Sequence, residues 1–407
     1  MTFSDGRRPV FVVDAVRTPI GRYAGALATV RPDDLLALTL REILARNNLD
    51  PAEVDEVAAG CAGQAGEDNR DVARMALLLA GYPTTVPGIT LNRLCASGLA
   101  AVVHGFRMIA LGEADVVIAG GVESMTRAPY VMAKGERAFS GGPPEIHDSS
   151  LGWRFVNPRL AAMHPPLAMG ETAENLVQRY GISREAQDRF ALRSHQFALA
   201  AWDEGRYQDH VLGVRIPQRR GDPVVVDRDE GPRADTSLEA LARLRPAFRE
   251  GGSVTAGNSS TLNDGAGAVL LASAAACERL SLDPVATVVA SGQAGVDPSV
   301  MGIGPVRSTR IALQRAGWGV EDLDTVELNE AFAAQVLAVL SDLPIPMDIL
   351  NPDGGAIALG HPLGMSGIRL VATMLHRMRR NPEIGKGLAT ACVGVGQGES
   401  ILFENAT

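Results

Sequence analysis

Short apolar runs alternate along this chain with longer stretches in which apolar residues recur every three or four positions. The short runs predict strands and the longer stretches predict helices; their alternation predicts an α/β architecture with mainly parallel strands. In the first part, strands are expected at 10–13, 56–59, 88–91 and 116–119. Between the last two, Leu99, Val103, Phe106 and Ala110 keep the spacing of one helix face. The same order of elements returns later, with strands expected at 285–290, 325–328, 347–350, 387–392 and 400–403.

The two parts can be laid side by side. GITLNRLCASGLAAVVHGFRMI leads through a helix to ADVVIAGG, and DILNPDGGAIALGHPLGMSGIRLVATML leads through a helix to GLATACVGVG. Both begin with a strand closed by Leu-Asn (Leu91-Asn92, Leu350-Asn351), and both enter the helix through Ser-Gly (Ser97-Gly98, Ser366-Gly367). A duplication of this kind predicts two similar halves whose equivalent helix starts meet near a shared centre. The stretch 124–250 breaks the pattern: it is richer in Arg, Pro and Gly, has a helical piece at 183–205, and holds the polar run GDPVVVDRDEGPRADTS. It reads as an inserted lobe bounded by Gly120-Gly121 and Gly251-Gly252, and such excursions commonly carry substrate contacts. The expected organisation is a first half of 1–123 with 251–277, an insertion of 124–250, and a second half of 278–407.

A chain of 407 residues suits two or three domains. With 38 Lys and Arg against 47 Asp and Glu the net charge is −9, which argues against nucleic-acid or anionic-membrane partners. An apolar share of 46% with 21% charged residues is that of a folded globular chain. No apolar run approaches the ~20 residues of a membrane span, and the N-terminus shows no secretory pattern. The four cysteines, Cys61, Cys95, Cys277 and Cys392, are too dispersed for a disulfide framework or a zinc site. Reduced thiols in the cytoplasm are expected.

Candidate chemistry then falls on a few positions. Cys95 lies in LNRLCASG between a strand and the helix it feeds, where first-turn N–H groups favour thiolate. His361 lies in GGAIALGHPLGMSG, whose glycines predict an irregular loop ahead of a helix near Ser366; an imidazole near a thiol can activate it. Cys392 opens CVGVGQG, where Gly394, Gly396 and Gly398 allow backbone N–H groups to point at an oxyanion. Asn329, in NEAF at an expected helix start, reads as an N-cap or as a polar donor. Gly257-Asn258-Ser259-Ser260 with Asn263-Asp264-Gly265 reads as a polar turn, either ligand-binding or ordinary turn chemistry. The seven histidines form no metal-binding pattern, and neither a P-loop nor a dinucleotide-binding glycine motif is present.

In order along the chain, NRLCASG, GGVESM, SVTAGNSSTLNDGAGA, MGIGP, NEAFAAQ, GGAIALGHPLGMSG and CVGVGQG resemble the motifs of the thiolase family. The resemblance covers essentially the whole chain. It implies the thiolase fold, two duplicated five-layered αβαβα halves with a loop domain inserted in the first. It also implies an acetyl-CoA acyltransferase that cleaves 3-ketoacyl-CoA or runs the reverse Claisen condensation. On this resemblance Cys95 is the acyl-accepting nucleophile, His361 activates it, and Cys392 handles the proton on the acetyl Cα. Asn329, through a water and together with His361, would form one oxyanion hole; the backbone N–H groups of Cys95 and Gly394 would form the other. Ser260 matches a pantetheine contact, and Met169, Phe248 and Met301 match apolar residues of the tunnel.

Coenzyme A is then a co-substrate, with no tightly bound cofactor and no metal, and a homo-oligomer (tetramer or dimer) is implied. Because the chain is acidic overall, CoA phosphates call for a local basic patch, for which Arg219 and Arg220 are the candidates. GQAGEDNRDVARMALLLAG, GGVESMTRAPYVMAK, LGWRFVNPR and MGIGP look closest to the thiolases acting on 3-oxoadipyl-CoA, whose distal carboxylate calls for a cation. Arg70, Arg127 and Arg154 are the candidates for it. Dedicated acetoacetyl-CoA and general fatty-acid 3-ketoacyl-CoA thiolases are the alternatives; Ala168, where short-chain members often carry His, speaks against the first. A decarboxylating ketoacyl synthase would use two histidines in place of Cys392, and a non-catalytic acyl-CoA-binding relative would be expected to lose catalytic groups that are all present here.

Overall fold

In the computed structural model, which describes residue 6 and residues 8–135 and 142–406, the main strands line up in one continuous mixed sheet, beside two separate two-stranded sheets. The outermost positions of both expected halves, and 136–141 of the expected insertion, lie outside the described residues. The strands are β1 (Val10–Arg17), β2 (Glu56–Gly60), β3 (Gly88–Leu91), β4 (Val116–Ser124), β5 (Asn263–Ser273), β6 (Ala286–Gly295), β7 (Thr325–Leu328), β8 (Lys386–Val393) and β9 (Gln397–Asn405). Their spatial order is β7-β8-β9-β6-β1-β5-β4-β2-β3. The join between halves is narrow: β1 meets β6 through Phe11↔Thr287 and Val12↔Ala286.

The duplication is written in the pairing sense. From its edge inward, the first half runs β3-β2 parallel, β2-β4 parallel, β4-β5 antiparallel and β5-β1 antiparallel. The second half repeats this with a Leu350↔Val326 parallel bridge, β7-β8 parallel, β8-β9 antiparallel and β9-β6 antiparallel. The expectation of mainly parallel strands is therefore corrected to a mixed sheet. The cause is local: 394–396 is a tight reversal, so β9 must run back along β8.

Two further expectations change. Asn263-Asp264-Gly265 is no turn but the start of the fully buried β5, whose small and apolar residues fill both faces and so show no alternation. The strand expected at 347–350 shrinks to the single bridge at Leu350.

Helices complete five layers. Helix α1 (Pro32–Arg46) and α2 (Val72–Leu79) cover the outer face of the first half. Between the halves lie α3 (Ser97–Leu111) and its counterpart in the second half, here α8 (Leu363–Arg380). Insertion helices α4 (Met169–Tyr180) and α5 (Arg184–Asp203) lean on the second half, whose outer face carries α6 (Gly304–Ala316) and α7 (Ala333–Asp342). Leu99, Val103 and Phe106 of α3 and Ile368, Val371 and Met374 of α8 share one buried cluster with Val12, Ala119, Ala391 and Phe403. Contrary to the sequence expectation, 94–111 is long and apolar enough to cross a bilayer, with 18 residues at a mean hydropathy of 1.6. It is apolar because α3 is the central layer of the protein.

The paired Ser-Gly signatures mark where α3 and α8 touch. A Cβ on Gly367 would lie 2.1 Å from the Leu99 amide nitrogen, and one on Gly98 would lie 2.7 Å from the Gly364 carbonyl oxygen. Backbone faces backbone, so neither helix can yield by turning a side chain. Gly367→Ala is expected to lower the unfolding free energy by about 1–3 kcal/mol or more, as overpacking does, read as a reduced Tm by calorimetry.

Candidate active site

Each chemical group reaches the site from a different element. Cys95 was expected in the first turn of a helix; it sits instead in a single 3-10 turn, Leu94–Ala96, just ahead of α3. That turn packs against β8 and α8. Leu94 is held at φ +45°, a left-handed conformation that costs roughly 1–3 kcal/mol for such a residue. Local hydrogen bonds hold it there. Asn92 Oδ1 accepts from the Leu94 N–H at 2.9 Å, and Ser97 Oγ accepts from the Arg93 N–H at 2.8 Å while donating to the Leu94 carbonyl at 2.7 Å.

Opposite lies the reversal between β8 and β9. Cys392 is buried near the end of β8, and the Gly394 backbone N–H acts on the Cys95 sulfur in the direction that favours its thiolate. A Cβ on Gly394 would meet Leu94 at 3.2 Å and Met169 Sδ at 3.5 Å, so the two loops are in contact. The thiols also sense each other electrostatically: burial, and then the neighbouring Cys95, push the Cys392 thiol well above its ordinary 9.0.

His361 stands between the short helix Ala356–Leu359 and α8. Its N–H donates to Asn263 Oδ1 at 2.9 Å. Gly360, at φ +112°, brings its backbone so close that a Cβ there would lie 2.5 Å from the Asn263 amide. His361 Nδ1 is 2.6 Å from Ser366 Oγ, whose own hydrogen is directed at the Pro362 carbonyl 2.9 Å away. The hydroxyl has one proton to give, so Nδ1 carries the ring proton and Nε2 keeps a free lone pair. Asn329 is not an N-cap; it follows β7 four residues before α7 starts, with Nδ2 at 3.5 and 3.4 Å from the two ring nitrogens of His361.

Burial sets the protonation states. Desolvation pushes the Cys95 thiol up to about 11, against the help of the Gly394 N–H, so the expectation of a resting thiolate is reversed. Desolvation first, and Arg369 second, push His361 down to about 3. Near neutral pH the Cys95 thiol and the His361 imidazole are thus both neutral. Because the His361 value is depressed below 6.5, acidification through pH 6 leaves it unprotonated, and kcat/KM is expected to show no acid limb near 6.5. Because the Cys95 value is raised, alkylation of the free enzyme by iodoacetamide is expected to keep climbing past pH 9 toward 11. Mass spectrometry of the labelled peptide checks this.

The tunnel candidates divide. Met169, Met301, Phe332 and Cys392 belong to one apolar cluster, and the Phe248 ring stands edge-on to Phe332 at 5.9 Å. Ser260 joins them through its N–H to the Ala331 carbonyl at 3.0 Å. Arg219 and Arg220 are exposed at the tip of a hairpin whose Val214 and Ile216 pack into the outer cluster with α1, and they are not brought to this group. Of the three carboxylate candidates, Arg127 is already paired with Glu67 at 2.5 Å, and Arg70 is exposed. Arg154 is half-buried beside Trp153, whose Nε1 donates to the Leu167 carbonyl two residues before Met169.

Three side chains that hold the site were not singled out as functional. Ser366 orients His361 and stands in a quoted motif, so its spacing from the histidine was a usable signal. Arg369 donates to Asn329 Oδ1 at 3.3 Å, and no local pattern marks it. Glu123, at the end of β4, accepts from the N–H groups of Ala62, Gly63 and Gly364, which ties the first half to the loop below His361.

Known proteins resemble this chain over nearly its whole length. Residues 10–275 match the family model described as "Thiolase, N-terminal domain", and residues 282–405 match "Thiolase, C-terminal domain". The chain is 54% identical to the beta-ketoadipyl-CoA thiolase of Pseudomonas aeruginosa, over 98% of this chain and 99% of that protein. It is 51% identical to the 3-oxoadipyl-CoA/3-oxo-5,6-dehydrosuberyl-CoA thiolase of Escherichia coli, with the same coverage. Human mitochondrial 3-ketoacyl-CoA thiolase, solved in complex with CoA, superposes with a TM-score of 0.91 at 40% identity over 98% of both chains.

Proposed function

Because the chain belongs to the thiolase family, we propose that it cleaves 3-oxoadipyl-CoA with free CoA to give acetyl-CoA and a four-carbon acyl-CoA bearing a terminal carboxylate. The observation that supports this site assignment is the packing of the Leu94–Ala96 turn, which carries Cys95, against β8, which carries Cys392, and against the Gly394 loop that follows it. In this reading His361 Nε2 takes the Cys95 proton as sulfur attacks the C3 carbonyl. Backbone N–H groups of Cys95 and Gly394 hold the resulting oxyanion. The C2–C3 bond then breaks, its electron pair passes to the acetyl enolate facing Asn329 and His361, and the Cys392 thiol protonates C2. Free CoA finally attacks the thioester on Cys95, its thiol proton passing to the Cys392 thiolate, and the Cys95 sulfur leaves and regains its proton from His361. Preorganised donors matter here because removing one from an oxyanion site typically costs ~2.7–4 kcal/mol.

The distal carboxylate is assigned to Arg154. Its support is that Arg154 is half-buried and that its neighbour Trp153 donates to the Leu167 carbonyl ahead of α4. Arg154→Gln is expected to lower kcat/KM for 3-oxoadipyl-CoA by roughly tenfold to a hundredfold, the worth of one charged hydrogen bond, and to leave acetoacetyl-CoA unchanged. Steady-state kinetics on 3-oxoadipyl-, acetoacetyl- and long-chain 3-ketoacyl-CoA test the whole reading. A preference for either of the last two overturns the substrate assignment.

In the same proposal 124–250 forms the lobe over the acyl-CoA, between a first half of 1–123 with 251–277 and a second of 278–407. Arg219 and Arg220, outside the tunnel group, are assigned to the far, phosphate end of CoA, so neutralising both should raise the KM for CoA and flatten its salt dependence. The four thiols, free in the structure, suit a reducing cytoplasm. Strand β3 is half-buried and has one unpaired edge, which suits a homo-oligomer.

A further inference from the structure

The backbone around Asn329 is fixed on every side. Its N–H donates to the Thr390 carbonyl at 2.9 Å, and the Asn351 amide clamps both the N–H and the carbonyl of the preceding Leu328, each at 2.9 Å. These contacts place the side chain but do not decide which end of its amide faces the pocket. Rotated by half a turn, the amide would present an oxygen lone pair, instead of an N–H, to the water through which Asn329 is read to act. That water would then spend one of its two hydrogens on the amide oxygen and have one fewer for the enolate.

One group on the page breaks this tie. Arg369, buried on α8, places Nη2 at 3.3 Å from Asn329 Oδ1. A guanidinium only donates, so the atom facing it must be the amide oxygen, and the amide nitrogen is turned to the His361 side. Arg369 is itself held by Glu327, whose Oε2 lies 3.2 Å from Nη1, while Glu327 Oε1 is 2.9 Å from Arg377 Nη2. Glu327 and Asn329 are two residues apart at the end of β7, whereas Ser366, Arg369 and Arg377 follow helical spacing along α8. A single helix face thus addresses both His361, through Ser366, and Asn329, through Arg369.

We propose that Arg369 is a positioning residue which fixes the polarity of the Asn329 amide and thereby keeps an N–H, not an oxygen, directed at the water that faces the enolate. The proposal rests on the reading of Asn329 as a donor, through that water, at the acetyl carbonyl. It predicts a defect confined to carbon–carbon chemistry, because acyl transfer to and from Cys95 uses the backbone donors of Cys95 and Gly394. The charge of Arg369 also helps to keep His361 neutral.

The test compares Arg369→Lys with Arg369→Gln in the full-length enzyme. Lysine offers donors only and preserves the choice; glutamine offers a donor and an acceptor and lets Asn329 pair either way round. Arg369→Gln is expected to lower kcat for 3-ketoacyl-CoA cleavage on the order of 100-fold, as small misplacements do, with KM little changed. Exchange of labelled CoA into acetyl-CoA should stay close to wild type, and Arg369→Lys should retain most of the cleavage. If glutamine unpairs Glu327 and the protein fails to fold, the double variant Glu327→Gln/Arg369→Gln lowers that charge imbalance and carries the same comparison. Equal cleavage in the Lys and Gln variants, or exchange falling in step with cleavage, overturns the proposal. Full cleavage by Asn329→Ala would instead remove the reading of Asn329 on which it rests.

Discussion

Cys95→Ala is expected to take up no acyl group from acetyl-CoA, while the wild-type enzyme acquires one that intact-mass spectrometry detects. Removing a nucleophile that works as part of a unit elsewhere costs on the order of 10⁶-fold in kcat, and a loss of that scale is expected here. The site offers no substitute. Cys95 is partly exposed and is favoured as thiolate by the Gly394 N–H, whereas Cys392 is buried and its thiol is pushed further from ionisation. The left-handed Leu94 has no evident role other than to aim this one sulfur. Acylation of the Cys95→Ala protein would move the nucleophile elsewhere and undo the mechanism.

Cys392→Ala is expected to behave differently. It should still be acylated by acetyl-CoA, because Cys95, its base and the backbone donors remain, yet it should not break or form the carbon–carbon bond. A positioned acid or base commonly contributes about 10²–10⁴-fold, and kcat for 3-oxoadipyl-CoA cleavage is expected to fall by that amount. The environment fits a donor. Burial raises the Cys392 thiol well above its ordinary 9.0, so it holds its proton across the neutral range until an enolate forms beside it. In the condensing direction the same proton affinity makes it a strong base once deprotonated. Equal acylation of the two variants would sink the division of labour between the thiols, as would a Cys392→Ala enzyme that cleaves at the wild-type rate.

The candidate positions stood out in the sequence because they sit in loops whose composition is unusual, while their roles came only with the motifs' resemblance to the family. Cys95, His361 and Cys392 stand next to small residues and glycines that ordinary strands and helices would not collect. The duplicated order of elements was legible for a related reason: α3 and the strands beside it are continuously apolar. Strand β5 was hidden because it opens on Asn-Asp-Gly, which reads as a turn, and then continues in small residues buried on both faces. Arg369 was hidden for a deeper reason. Helix α8 has the polar-apolar periodicity of a surface helix, yet it is buried almost throughout, with Glu327, Asp353 and Asn329 facing its arginines. Periodicity reports that a face is polar; it does not report whether water or a carboxylate lies against it. The protonation states were hidden likewise, since a helix start argues for thiolate until the packing around Cys95 is known.

The bare main-chain contact at Gly98 and Gly367 bears on how this enzyme should fail. The nucleophile arrives from one side of that seam, and the base, the amide and the second thiol arrive from the other. Where main chain meets main chain there is no side chain to turn aside, so a slight parting of the two lobes separates the catalytic groups together. Heating should therefore remove activity as the halves part, with its loss following the melting of that seam.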